Sequence, residues 1–548
     1  MLFTLLSLFA AYHIAGRIKA LFFSDHGVDK KFPTITTPVP SLSIPSAILP
    51  KRPSWNLFGL CYSWANKLHM YDNAPLKTIV MRSWAYGNSF IFTRNVPVFR
   101  QVLAVGSPFH KPDLKDLNFM GLNVVTAEGD FWKRHRRITA PSFNQKTYRN
   151  VWETTASVYH DMIKNEGWQS VKQTNTVKVN LITHKLALFI IAIVGFGLPM
   201  RWIEEERDSR GRLSLQKMIF DVSSFILARS RVPKLLYALG NPLLNRINEA
   251  YETFETFMRE QIKVREVELE KVRSTPSATE DDIADAIGDV FGRLVSARIG
   301  EGKLSMSDEE IIGNCFIFVF AGHETTANTL AATLAMLSVN QDVQETTYQS
   351  IINAIGNREP SFEDYDALQD VLACFYEGLR MFPAAYLMTR QPKADTVLNF
   401  PRADDPTVVE PVHVKKDTVI VLDFVAMFYD PQEFPEPYEF KPSRWTRGAA
   451  PAAGSSLNQT QADEVSASAS ANALDGFMGF SIGPRTCLGH KFAKIEAVAF
   501  LTHLLREWRV EPVLNDGENI TEWKARVLEP SFGITMALGD VPLRFIRR

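Results

Sequence analysis

Cysteine is scarce in this chain: Cys61, Cys315, Cys374 and Cys487 are four among 548 residues, and no two stand at C-x-x-C spacing. That excludes a disulfide framework and suits free thiols in a reducing compartment. An excess of charge is missing too. Sixty Lys and Arg against 61 Asp and Glu leave a net charge of -1, so no overall field draws the chain to nucleic acid, and charged partners must be met locally. No internal repeat is evident, and no flavin or nicotinamide fingerprint is found. Apolar side chains, by contrast, make up 46% of residues against 22% charged, enough to bury a large core as one big domain or two intimate ones. Cys61, Cys315 and Cys374 lie in apolar surroundings and read as small core residues.

The first sixteen residues, MLFTLLSLFAAYHIAG, are nearly all apolar, and Arg17, Lys19, Lys30 and Lys31 follow. A membrane anchor over 1–23 is expected: the run is shorter than the ~20 residues a span prefers, but Arg17 and Lys19 can snorkel. A cleaved signal peptide is disfavoured because no basic residue precedes the run. The cationic cluster behind it leaves the bulk of the chain cytosolic. Prolines punctuate 24–54, which reads as a stiff connector. From 55 to 548 one main domain is expected, with helical periodicity over 86–390 and alternating, β-branched stretches at 395–425 and in the tail SFGITMALGDVPLRFI. The fold class is therefore mainly α with a small β portion. Residues 447–475, rich in Ala, Ser, Asn and Gln, read as a disordered surface insertion.

Cys487 stands in FSIGPRTCLGH, where Phe480, Gly483, Arg485, Cys487 and Gly489 keep the spacing F-x-x-G-x-R-x-C-x-G, and a helical pattern starts directly afterwards. A sulfur at a helix mouth faces free N–H groups and the positive dipole end, which favours thiolate. Gly483 and Gly489 would let backbone approach a large flat partner, and Arg485 supplies a cation for an acidic group on it. A structural cysteine in a turn would ask for neither the arginine nor the second glycine.

This pattern resembles the heme-binding loop of the cytochrome P450 superfamily, and the resemblance extends over about 55–548. It implies the cytochrome P450 fold, heme b as cofactor and the Cys487 thiolate as axial metal ligand. By the same resemblance, Trp132 and Arg136 in DFWKRHRR, one helical turn apart, reach a heme propionate, and Arg390 reaches the other; Arg134 and Arg137 are read as solvated. In FVFAGHETTANTL, Ala321 and Gly322 leave room for dioxygen, Glu324 and Thr325 manage proton delivery, and His323 is structural. Many family members have aspartate where this chain has Glu324. Glu377 and Arg380 in YEGLR, on a helix that Pro383 ends, join Arg444 of FKPSRW in a buried network that fixes the cysteine loop. The substrate would lie among the loop 114–124, Phe316, Phe320 and Ala321, Ala384 to Met388, and Phe532 to Ile534.

The resemblance thus implies a monooxygenase placing one atom of O2 into a lipophilic small molecule. Its style is that of fungal microsomal members hydroxylating terpenoid or other secondary metabolites. NADPH-cytochrome P450 reductase is the implied electron donor, with cytochrome b5 as a further candidate, docking near Lys491, Lys494 and Lys133 or Arg134. The expected location is the endoplasmic reticulum membrane, single-pass, with a cytosolic catalytic domain and no nucleic-acid partner. A heme-thiolate isomerase, dehydratase or peroxygenase is the alternative; like a heme carrier, it would not need the Glu324-Thr325 step.

Overall fold

Apolar runs long enough to be buried on every side become the central helices, as the computed structural model of the chain shows. It describes residues 31–548 apart from 41, 44–61, 68, 84–88, 205, 208–210, 238–239, 276–278, 280–286, 300–304 and 447–476. The expected anchor over 1–23, Cys61 and the expected insertion at 447–475 lie outside the described residues. Among the described residues no helix is long and apolar enough to cross a membrane.

Helices that frame the site are α1 (Val96–Leu103), α2 (Gly129–Thr139), α3 (Gln145–Asn165), α4 (Val179–Ile190), α5 (Pro242–Ser274), α6 (Asp308–Val339), α7 (Gln341–Ile355), α8 (Gln369–Met381) and α9 (His490–Glu507). Local chemistry sets several of their ends. Ser307 and Glu310 close a capping box at the start of α6, and Asp308, Glu309 and Glu310 place negative charge at its positive end. Asn144 caps α3, and Asn241 caps α5 with Pro242 in the first turn. As expected, α8 stops just before Pro383.

Helix α6, 32 residues long, is buried through most of its length against α4 on one side and α8 on the other. Helix α9 packs against α3 and α8, and its residues from Ile495 to Leu505 are buried.

The largest sheet has strands β1 (Thr34–Thr37), β2 (Thr78–Ser83), β3 (Phe90–Thr93), β4 (Phe109–His110), β5 (Leu387–Pro392) and β6 (Val419–Asp423), ordered β1-β2-β3-β6-β5-β4. The β1–β2 and β3–β6 pairs are parallel and the others antiparallel. Strand β1 corrects the reading of 24–54 as a plain connector. Its TITT run is β-branched and suited to an extended edge, Thr37 is buried, and neighbouring Phe32 packs edge-on against Phe400 at 5.2 Å. Residues 34–37 thus pair with 80–83 in the largest sheet. Hairpin Thr396–Pro401 with Val409–Val414 and the short pair Pro530–Phe532 with Met536–Leu538 realise the two predicted β regions.

Candidate active site

Between the turn Gly483–Arg485 and α9, the Cys487 loop is folded by its own backbone. The Cys487 N–H donates to Phe480 O at 3.0 Å, and the Thr486 hydroxyl donates to Gly483 O at 2.7 Å. Ser481 is held at φ 62, a left-handed conformation unusual for a residue with a Cβ. Gly483 is required for a reason other than approach to a flat partner: its φ is +72, and a Cβ there would stand 2.1 Å from Leu103 O at the end of α1. Gly489 does face open space, since a Cβ on it would meet nothing within 4 Å.

The result is a sulfur deep in the protein yet open to a cavity of about 310 Å³. Burial pushes the Cys487 thiol up, and the Gly489 N–H and the nearby Arg136 cation only partly oppose it. Desolvation thus works against the thiolate that the helix mouth favours, and a bound metal cation would offset it.

Across the cavity, α6 presents Ala321, Gly322, Thr325, Thr326 and Thr329. Thr325 turns its hydroxyl back to Ala321 O at 2.8 Å, and Thr329 does the same to Thr325 O at 2.8 Å, which satisfies both in an apolar wall. The space expected at Gly322 is bounded by Ile191, whose Cγ1 would lie 3.0 Å from a Cβ there. Glu324 does not line the cavity. It accepts from the Thr535 hydroxyl at 2.8 Å, its other oxygen is buried without a partner among the described residues, and burial lifts its carboxyl to about 7. His323 is structural as expected: its Nδ1 lies 2.9 Å from Val319 O, and burial lowers the ring to about 3.

Three cations, Lys111, Arg136 and Arg485, line one edge of the cavity, and Arg390 stands near Lys111 and Arg485 outside the lining. Arg485 pairs with Glu128 at 2.7 Å, donates to Ala127 O at 2.8 Å and stacks over Trp132 at 4.1 Å. Arg136 donates to Thr486 O at 3.0 Å, and Lys111 to Val125 O at 2.7 Å. Burial and its cationic neighbours Arg390 and Arg485 push Lys111 down to about 7; burial and Arg485 push Arg390 down to about 10. The one ion pair in the cluster, among the described residues, is Arg485–Glu128, so the group lacks negative charge. A flat, doubly carboxylated, metal-bearing group fits this arrangement. Lys111 and Arg136, with Arg390 near them, would meet its acids beside the Trp132 indole, and Cys487 would ligate its metal.

The loop is braced from behind. Glu377, fully buried, accepts from Arg380 Nε and Nη2 at 2.9 Å each, Arg444 Nε at 3.0 Å, the Lys441 N–H at 3.0 Å and Trp445 Nε1 at 2.8 Å. Trp445 packs on Phe477 at 5.0 Å, and Phe477 on Phe480 at 6.2 Å, so aromatic contacts run from the network to the cysteine loop.

Other expectations move. Arg134 is not solvated: it binds the Glu310 carboxylate and donates to Ser305 O at 2.9 Å. Phe316 turns from the cavity to Phe119, with rings 5.3 Å apart, while Ile317 and Phe318 line it instead. Phe532 packs on Tyr386 at 5.2 Å and lies outside the lining, whereas Ala384, Ala385 and Met388 are in it. Of the loop 114–124 only Val124 reaches the cavity. Lys111 was missed, being a lone lysine with no local pattern.

Comparison with known proteins agrees with this geometry. The family model described as Cytochrome P450 matches residues 50–536. The chain is similar to Cytochrome P450 monooxygenase 124 of Postia placenta, 32% identical with 80% of each chain covered. It also resembles Cytochrome P450 monooxygenase prx9 of Penicillium rubens, 27% identical over 90% of this chain and 85% of that one. A further relative, at 26% identity over 74% of this chain and 70% of the other, is named 11-oxo-beta-amyrin 30-oxidase of Glycyrrhiza uralensis. A crystal structure of a cytochrome P450 shares the fold, with TM-score 0.64 at 18% identity, covering 91% of this chain and 100% of that one.

Proposed function

Because the chain belongs to the cytochrome P450 family and is a heme-thiolate monooxygenase, we propose that it hydroxylates a lipophilic small molecule of the terpenoid or secondary-metabolite class. The observation that carries the reading is the Cys487 sulfur opening on a cavity whose far wall is apolar α6 with back-bonded threonines. The relative named 11-oxo-beta-amyrin 30-oxidase supports the terpenoid class.

Bound heme supplies the activation of dioxygen and the oxidation of a substrate C–H bond. The chain supplies placement and protons. Lys111 and Arg136, with Arg390 near them, would neutralise the cofactor's acids, and Trp132 lines that edge. Ile317, Phe318, Ala384 and Met388 exclude water and decide which carbon is presented, so selectivity is a matter of proximity. Thr325 holds a hydroxyl proton at the cavity wall, and a χ1 rotation frees it from Ala321 O. Glu324, with a carboxyl near 7, takes and gives protons at neutral pH behind that wall, positioned by Thr535.

Electrons come from NADPH-cytochrome P450 reductase, docking on the cysteine side. There Lys133 is exposed beside Asp130, and Lys491 lies over the Tyr148 ring at 4.8 Å; Arg134 is excluded from this surface by its hold on Glu310. Residues 1–23 would tether the domain to the endoplasmic reticulum membrane, where both donor and apolar substrate concentrate.

The test is incubation of the heme-loaded protein with reductase, NADPH, 18O2 and extracts of the source organism. A product carrying one labelled oxygen is expected. Turnover that needs neither O2 nor reductase would replace this reading with an isomerase, dehydratase or peroxygenase.

A further inference from the structure

On the face formed by α3, α9 and the loop after α7, well away from the cavity, two imidazoles and a carboxylate converge. His160, Glu359 and His503 each offer a ligand atom, and these atoms all lie within 4.8 Å of one another. The geometry points to a divalent transition-metal site, with Zn2+ as its best occupant, held by His160, Glu359 and His503 and leaving one position for water.

The residues argue for it singly and together. His503 is buried at 3% exposure, its Nδ1 is 3.7 Å from Glu359 Oε2, too far for a hydrogen bond, and its Nε2 has no partner among the described residues. Such a ring is poorly satisfied by the protein alone. The His160 and His503 rings meet edge-on at 5.5 Å, bringing the exposed ring over the buried one. Arg506 holds the other oxygen of Glu359 at 3.2 Å and donates to Arg358 O at 2.7 Å, which anchors the carboxylate while leaving Oε2 available.

Tetrahedral zinc with N and O ligands at about 2.0–2.2 Å needs ligand atoms about 3.3 Å apart. The present spacing is met by closing roughly an ångström, which the exposed His160 and Glu359 side chains can do by rotation. Two imidazoles with one carboxylate and an open position is a zinc-type donor set; it excludes Mg2+ and Ca2+, which take oxygen ligands. Occupancy would tie the last turns of α9 to α3 and to the segment leading into α8. Since the cysteine loop enters the first turn of α9, the metal would clamp the far end of the same helix.

Full-length, heme-loaded protein stripped with EDTA and titrated with ZnCl2 in a calorimeter tests this. One saturable Zn2+ per chain is expected, with a raised unfolding temperature. His160→Asn and Glu359→Gln, both exposed, should each weaken binding ~10-fold or more and leave the carbon monoxide difference spectrum unchanged. Absence of saturable binding, or an affinity that survives both substitutions, overturns the site.

Discussion

Replacing Glu377 with glutamine should cost this protein a large part of its stability. Glu377 takes five hydrogen bonds in a site with no solvent, and two of its donors are guanidinium cations. Breaking a buried ion pair from one side costs about 3–5 kcal/mol, because the remaining charge stays in low dielectric. Here the loss is moderated. Arg380 keeps the carbonyls of Phe428 and Glu439, and Arg444, 13% exposed, keeps those of Pro435 and Glu436. Glutamine also retains one acceptor oxygen. About 4 kcal/mol is therefore expected for Glu377→Gln, against a total of about 5–15 kcal/mol for a typical native chain. Arg444→Leu, nearer to water and less dependent on Glu377, should cost about 1–2 kcal/mol. Urea unfolding of the heme-bearing protein, followed by tryptophan fluorescence and the Soret band, reads both as midpoint shifts at constant slope. Heme should be released before the rest unfolds in Glu377→Gln, since the aromatic contacts from Trp445 to Phe480 lose their anchor. A loss below about 1 kcal/mol, or an Arg444→Leu effect as large as that of Glu377→Gln, would refute the reasoning.

Glu324 has its carboxyl lifted from 4.5 to about 7, so its neutral form suits the folded protein. This contribution is complete below about pH 4.5 and is lost as pH rises through about 7; Glu324→Gln should gain up to about 3 kcal/mol over the parent above neutrality while flattening the pH profile of product formation. Thr535→Val removes the hydrogen bond that favours the anion, so the midpoint of that profile should move upward. Lys111→Met relieves cation repulsion and should stabilise the heme-free chain while speeding heme loss to apomyoglobin, two effects of opposite sign read on one variant. Gly483→Ala meets both a left-handed φ and the Leu103 carbonyl, and a loss of about 2 kcal/mol or more in urea unfolding is expected.

Much of the site could be read from the chain because its signals are local. The run from Phe480 to Gly489 fixes a loop by covalent spacing, and Trp132 with Arg136 share a helix face by being four apart. Glu377 and Arg380 could be paired for the same reason at a spacing of three. Phase within α6 was harder. The helix is buried on all sides, so apolar periodicity carries no direction, and Phe316 and Phe320 were placed on a wall that Ile317 and Phe318 occupy. Helix geometry held part of one correction: Thr325 and Thr329 are four apart and share the cavity face with Ala321, whereas Glu324 falls outside that lining. Lys111 joins three arginines from distant segments, and no pattern within the sequence announces such a meeting. The thiol of Cys487 shows how far a local rule reaches: the helix end was legible, but the burial that opposes the anion depends on the whole fold.

The central claim is that Cys487 is the ligand of the heme metal, and one spectrum tests it most directly. Dithionite-reduced protein exposed to carbon monoxide should show the red-shifted Soret band of thiolate ligation, and Cys487→His should retain heme while losing that shift. An unshifted band in the parent protein, or a shifted one that persists in Cys487→His, would contradict the account.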